Sequence, residues 1–263
     1  GLEGEEGDTG NQYASGDKPD LNLPGRQQEI LELAVNSGKP VVLILLSGSA
    51  LAVNWAEKHV PAIIQGWYPG AEGGRILAET LFGDINPEGH LPVTFYKGTE
   101  ELPAFTDYAM EGRTYRYMKQ DALYPFGYGL SYTTYAYSNL TVREEQVGED
   151  GTDITVTVKN TGKRTGTETV QVYIKIEKED TPNAQLKAIR KVTLRPGEEK
   201  EVNIHLAKDA FGLCDKEGNF RTCKGEAKVY VGGQAPDRRS EELSGVKVQS
   251  VTLRTEDELL WEN

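Results

Sequence analysis

Apolar positions along this chain change their period near residue 132. Before it, Ile30, Leu31, Leu33 and Ala34 follow Pro24 at helical spacing and predict a helix with that buried face, ended by Gly38. Val41 to Leu46 is a continuous apolar run, the pattern of a strand covered on both faces of a parallel sheet. A helix is predicted around Leu51 to Lys58, then a strand over Ala62 to Gly66 closed by the turn Trp67-Tyr68-Pro69-Gly70. Glu72-Gly73-Gly74 opens another helix, with Ile76, Leu77, Thr80 and Leu81 facing inward and Leu81-Phe82-Gly83-Asp84 as its end. Asn86-Pro87-Glu88-Gly89 reads as a turn before a short strand, Leu91 to Tyr96. Alternating β and α signals predict a parallel or mixed sheet under helical cover. Three strands are fewer than the roughly five or six of an ordinary sheet, so the remainder is expected from elsewhere.

Residues 97 to 131 show no sustained period. Beyond them, apolar and polar residues alternate in Ile154-Val156-Val158, Val170-Val172-Ile174-Ile176, Val192-Leu194, Val202-Ile204-Leu206, Ala227-Val229-Val231 and Val246-Val248-Val251. Turn residues separate these runs, as at Asn160-Thr161-Gly162, Arg195-Pro196-Gly197 and Gly232-Gly233. Six or seven short alternating strands predict an antiparallel sandwich.

Composition narrows the function classes. The 263 residues carry a net charge of −12, opposite in sign to a nucleic-acid footprint and ill-suited to polyanionic sugars or anionic membranes. No apolar run reaches the roughly 18 residues of a membrane span, so a soluble protein, cytoplasmic or secreted, is expected. Cys214 and Cys223 flank Asp215-Lys216-Glu217-Gly218-Asn219. A two-residue hairpin loop at Gly218-Asn219 would set them directly opposite each other, so a disulfide and two reduced thiols both remain open. His59, His90 and His205 lack ligand spacing. Gly70, Gly73 and Gly74 match neither a phosphate loop nor a dinucleotide fingerprint, and Ser47-Gly48-Ser49 is not a nucleophile elbow. No metal or cofactor is therefore expected.

The stretch from Gly66 to Tyr96, with Trp67-Tyr68-Pro69-Gly70 and Leu81-Phe82-Gly83-Asp84, resembles the carboxy-terminal half of glycoside hydrolase family 3, the β-glucosidases and β-xylosidases. Gly1-Leu2-Glu3-Gly4-Glu5-Glu6-Gly7-Asp8 is similar to that family's acid/base loop, and Leu21-Asn22-Leu23-Pro24-Gly25-Arg26 to the segment after it. Ser47 to Ala56 and Leu123 to Tyr132 continue the likeness, and Lys159-Asn160-Thr161-Gly162 and Leu194 to Glu198 resemble its fibronectin type III-like domain. The resemblance implies part of an (α/β)6 sandwich domain over 1–110, a connector over 111–131 and a fibronectin type III-like β-sandwich over 132–263.

It also implies a retaining β-glycosidase that removes terminal β-linked glucose or xylose from oligosaccharides. Such hydrolysis uses two carboxyl groups about 5 to 5.5 Å apart, a nucleophile and an acid/base. Glu3, Glu5 and Glu6 lie close in sequence, and like charges at short range raise a carboxyl pKa, as a general acid requires. Aligned on the family's Glu-x-Glu pattern, Glu5 is the first choice for the acid/base and Glu3 the second. The family's Asp-Arg pair reads Asp17-Lys18 here, after an insertion from Thr9 to Gly16, and Lys lacks the planar fork of Arg. The nucleophile is an Asp of the family's barrel domain, to which no residue here corresponds, so these residues alone are expected to be inactive. The implied partners are that amino-terminal barrel portion or a second copy of the chain. The aromatics Tyr115, Tyr117, Tyr124, Phe126 and Tyr128 suit either a sugar platform or packing between domains. A non-catalytic carbohydrate-binding or interaction module built on the β-sandwich is the alternative, and it would have no use for Glu5.

Overall fold

A computed structural model describes residues 20–104 and 106–261. They form two units that interleave along the chain. One runs up to Ile85 and takes in Val93–Arg113 and Gln120–Tyr124. The other comprises Asn86–Pro92, Thr114–Lys119 and everything from Pro125.

In the first unit α1 (Gln27–Asn36) follows Pro24, and Gly38 takes a left-handed conformation just past its end. Strand β1 (Val42–Leu45), α2 (Asn54–His59) and β2 (Ala62–Gln65) make one right-sized crossover, with β1 and β2 parallel and Val42 opposite Ala62. Helix α3 (Gly73–Phe82) ends where Gly83 adopts φ +78°. There the Asp84 N–H donates to the Glu79 carbonyl at 2.8 Å, closing the last turn as only a residue free of a Cβ does without strain.

Two sequence expectations fail here. Ile30 and Leu33 of α1 are 63% and 69% exposed, and Ile76 and Leu81 of α3 are 38% and 45% exposed, so only Leu31 on α1 and Gly73 and Thr80 on α3 are buried. The two-stranded ladder is too narrow to cover the helix faces that the period marks as apolar. Leu91 to Tyr96 is not a strand either. It makes a single bridge, Phe95 to Tyr124, and beyond it only Leu91 bonds to the same stretch, donating to the Tyr128 carbonyl at 2.9 Å and accepting from the Gly127 N–H at 2.7 Å. The first unit thus has two strands among the described residues, not three.

The second unit opens with α4 (Thr114–Tyr117), where Tyr115 stacks on Phe126 at 4.1 Å and both meet the edge of buried Tyr173. It continues as β3 (Tyr135–Val142), β4 (Thr152–Asn160), β5 (Gly166–Ile176), β6 (Gln185–Leu194), β7 (Glu199–Leu206), β8 (Leu213–Cys214), β9 (Phe220–Thr222) and β10 (Gly225–Gly232). Helix α5 (Arg238–Ser244), β11 (Gln249–Thr255) and β12 (Glu258–Trp261) complete it. The sheets β3-β4-β7 and β11-β10-β5-β6 are antiparallel and face each other across Ile154, Val156 and Val158 on one side and Val170, Val172 and Ile174 on the other. This is the antiparallel sandwich that the alternation predicts.

Helix α5 was not foreseen, although Asp237 caps it by accepting the Ser240 N–H at 2.9 Å. It and left-handed Gly245 hold Val246 and Val248 outside any strand, so β11 starts only at Gln249. Cysteine register also differs from the two-residue-loop reading. Asp215 accepts N–H bonds from Glu217 and Asn219, and Gly218 takes φ +90°, which builds a three-residue loop with a bulge. Cys214 therefore faces Phe220, and both cysteines are free thiols.

A polar bond between side chains ties the two sheets at the rim of their core. The Tyr137 hydroxyl of β3 donates to Glu168 Oε1 of β5 at 2.6 Å. Burial pushes the Glu168 carboxyl above its ordinary value, against the opposing pull of the Tyr137 hydroxyl and the Thr169 amide. Between its unfolded and its raised folded pKa the native state holds more protons than the unfolded chain. Stability contributed here is thus present in acid and is lost as pH rises through the folded value. Glu168→Gln is expected to flatten this decline in urea unfolding of the sandwich followed upward from about pH 4.3, the ordinary Glu value. An unchanged pH slope would remove Glu168 as its source.

Candidate functional site

Glu3 and Glu5, with Asp17 and Lys18, lie outside the described residues. The chain is described again from Asp20, and there it is tied down at once. Leu21 N–H donates to Thr99 Oγ1 at 3.0 Å, and the Leu21 carbonyl accepts the Ala52 N–H at 2.7 Å. Asp20 Oδ1 caps the turn by taking the Asn22 N–H at 2.8 Å. Ala52 belongs to the loop that follows β1, so Leu21 is anchored beside the carboxyl ends of the parallel strands. That edge is where open α/β sheets ordinarily bind ligands.

The edge itself is polar and preorganised. Gly66 N–H extends the ladder to the Leu45 carbonyl at 2.8 Å. Fully buried Ser47 donates to the Ser49 carbonyl at 2.9 Å, and Gln65 Nε2 donates to the Ser47 carbonyl at 3.1 Å. Gln65 Oε1 is buried without a partner among the described residues. Trp67 next in line takes φ +52°, a left-handed conformation that a bulky residue holds only where its surroundings impose it, and its indole meets Phe95 edge-on at 6.4 Å. Asn54 Nδ2, donating to the Lys97 carbonyl at 2.6 Å, ties α2 to the segment that carries Thr99. These groups can orient a polar ligand and shield one side of it. Gln65 and Trp67 escaped the sequence reading as site residues, yet a Gln ending an apolar strand before Gly66 marks the point where backbone and polar side chain turn together.

The three histidines are not brought together. His59 stacks on Trp55 at 4.4 Å, His205 pairs with Asp153 at 2.8 Å, and His90 Nδ1 sits 2.9 Å from the Gly127 carbonyl. Burial lowers the His90 pKa, so that ring favours its neutral form. Of the aromatics, Tyr115 and Phe126 pack on Tyr173 in the second unit, and Tyr124 meets Phe95 at 6.3 Å in the first. No helix among the described residues is long and apolar enough to cross a membrane.

Residues 2–132 match the glycosyl hydrolase family 3 C-terminal domain, and residues 168–235 match a fibronectin type III-like domain. The chain belongs to glycoside hydrolase family 3. This family 3 chain is 39% identical over 248 residues to a xylan 1,4-β-xylosidase of Xylanibacter ruminicola, covering 92% of the chain and 28% of that relative. It is 33% identical to a periplasmic β-glucosidase of Salmonella typhimurium, covering 85% of the chain and 31% of the relative. Among solved structures, a β-glucosidase from Erythrobacter marinus superposes with a TM-score of 0.78 at 33% identity, over 92% of this chain and 31% of that one. The family 3 chain thus spans about a third of the length of the relatives it matches, and carries part of the α/β sandwich domain followed by the fibronectin type III-like sandwich, from β5 through β10 in the matched region.

Proposed function

We propose that this chain is the carboxy-terminal portion of a retaining β-glycosidase that hydrolyses terminal β-linked glucose or xylose from oligosaccharides. The observation that carries the reading is the likeness of 92% of the chain to a xylan 1,4-β-xylosidase, with 85% similarly alike to a β-glucosidase. In this reading Glu5 is the acid/base, with Glu3 as the second choice, and an Asp of the barrel portion of the same enzyme is the nucleophile. That carboxylate attacks the anomeric carbon while Glu5 gives its proton to the departing glycosidic oxygen. Glu5, now a carboxylate, takes a proton from water as the water displaces the enzyme carboxylate from the sugar. A second copy of the chain is a less economical partner than a barrel carried upstream on the same polypeptide. The surplus of acid, −12 overall, suits a neutral sugar and neither nucleic acid nor an anionic membrane.

Proton NMR of an aryl β-xyloside or β-glucoside digested by the complete polypeptide tests the reading. The β-anomer of the free sugar is expected first, with the α-anomer growing only by mutarotation. First appearance of the α-anomer would mean inversion and would remove the two-step mechanism.

A further inference from the structure

Strand β6 is an outer strand of its four-stranded sheet, pairing with β5 on one side and with no strand on the other among the described residues. An open edge ten residues long is a template on which another strand can add, and Ile189 at its middle is 46% exposed. We propose that this edge is guarded, its side chains preventing a second copy of the chain from adding β6 to β6 and joining two sandwiches through one continuous sheet.

The backbone of the edge is occupied by side chains. Arg190 Nη1 donates to the Ile189 carbonyl at 2.9 Å, and Lys200 Nζ of β7 donates to the Thr193 carbonyl at 2.9 Å. The Tyr115 hydroxyl accepts the Leu186 N–H at 3.3 Å. None of these bonds belongs to the β5 ladder, so they fall on its open side. Register along the edge is broken as well. Val172 faces Ala188 and Tyr173 faces Leu186, which leaves Lys187 as the extra residue of a β-bulge. The bulge moves the outward backbone positions from the odd residues Ile189 and Thr193 to the even residue Leu186, a step that a straight incoming strand cannot follow. The opposite border of the same sheet is closed by the chain itself. Beside β11, the Val147 N–H donates to the Arg254 carbonyl at 2.9 Å and the Arg254 N–H to the Glu145 carbonyl at 2.7 Å.

Charge completes the guard. Strand β6 carries Lys187, Arg190 and Lys191 and no acid, in a chain of net charge −12. Arg190 and Lys191 are exposed, and none of the three cations enters an ion pair among the described residues. A carboxylate beside them would cancel the repulsion that the role requires. If two copies paired antiparallel about a two-fold axis at Ile189, Lys187 of each would lie opposite Lys191 of the other. An axis at Arg190 would set the two guanidinium groups face to face. Like charges directly opposite across a ladder oppose its formation.

The test is sedimentation velocity on the complete polypeptide from about 1 to 100 μM, with the parent beside two variants. One carries Lys187→Thr, Arg190→Thr and Lys191→Thr together, which removes the charges and the Ile189 cap while keeping residues at home in a strand. The other is Lys191→Glu alone, an exposed change that leaves backbone and bulge intact and turns the repulsion with Lys187 into attraction. Both are expected to melt with the parent and to self-associate at least about ten-fold more tightly. The Ile189 carbonyl faces the open edge, and in an antiparallel ladder its N–H faces the same way. Ile189→Pro added to either variant removes that N–H and is expected to restore the parent's sedimentation. Unchanged sedimentation of both variants through about 100 μM, or association that survives Ile189→Pro, would overturn the proposal. The outcome does not depend on hydrolysis, so a failed anomer experiment leaves it readable.

Discussion

Glu5→Ala in the complete polypeptide is expected to slow hydrolysis of alkyl β-glycosides by roughly 10² to 10⁴-fold, the ordinary worth of general acid help, while activated aryl glycosides lose far less in the first step. The asymmetry follows from the leaving group. A nitrophenolate departs without a proton, whereas an alkoxide does not, so only the second substrate class needs the acid. Deglycosylation suffers with both, because water then lacks its base. Azide carries its charge already and needs no base to attack the glycosyl-enzyme, so it should restore turnover of the activated substrates and yield a glycosyl azide. Steady-state rates with paired aryl and alkyl substrates, with and without azide, decide the matter. Equal losses on both, with no azide effect, would move the role to Glu3 or off the acidic segment.

A comparable loss is expected in stability for Asn160→Asp. Asn160 is fully buried at the end of β4 and every polar atom of its amide is engaged. Nδ2 donates to the carbonyls of Arg164 at 2.7 Å and Leu194 at 3.0 Å. Oδ1 accepts from Thr133 Oγ1 at 2.7 Å and from the Gly162 N–H at 3.0 Å. One side chain thereby closes the turn after β4, holds the end of β6 and fixes the segment that leads into β3. Asp in its place sets a carboxylate oxygen against two carbonyls, and the buried charge has no cation to meet. A cost of about 3 to 5 kcal/mol is expected at neutral pH, and less in acid, where the carboxyl can hold a proton and donate once. For a unit of this size that is roughly a 10 °C fall in Tm by calorimetry. A fall of only a degree or two would show that the turn forms without the amide.

Legibility in the sequence followed the number of neighbours an element needs. Strands β4, β5, β7 and β10 alternate because each has one face on a core made within the chain, so Ile154, Val170, Ile204 and Val229 could be assigned inward from their period alone. In the first unit the same reasoning overreached. The period of α1 and α3 reports an apolar face correctly, but what covers that face is a question of partners, and Ile30, Leu33, Ile76 and Leu81 remain exposed beside a two-stranded ladder. Strand β3 escaped notice because Tyr135 and Tyr137 alternate as tyrosines, which read equally well as a surface. Hairpin register at Cys214 was decided by the Asp215 carboxylate and not by the cysteines, a side-chain effect that counting residues cannot see. Glu168 was legible in principle, as the one acid at an inward position of an otherwise apolar strand.

The interleaving of the two units bears on how sandwiches can be exchanged between relatives. Asn86 binds Ser131, Glu88 takes the Thr167 amide, and Tyr115 stacks on Phe126, so stretches well upstream in the chain are built into the second unit. A cassette cut at the first β-strand would leave those partners behind in the host gene. Chimeras that move only the contiguous strands must therefore supply matching side chains at 86–92 and 114–119, and recombination within this family is constrained to crossover points that keep the three stretches together.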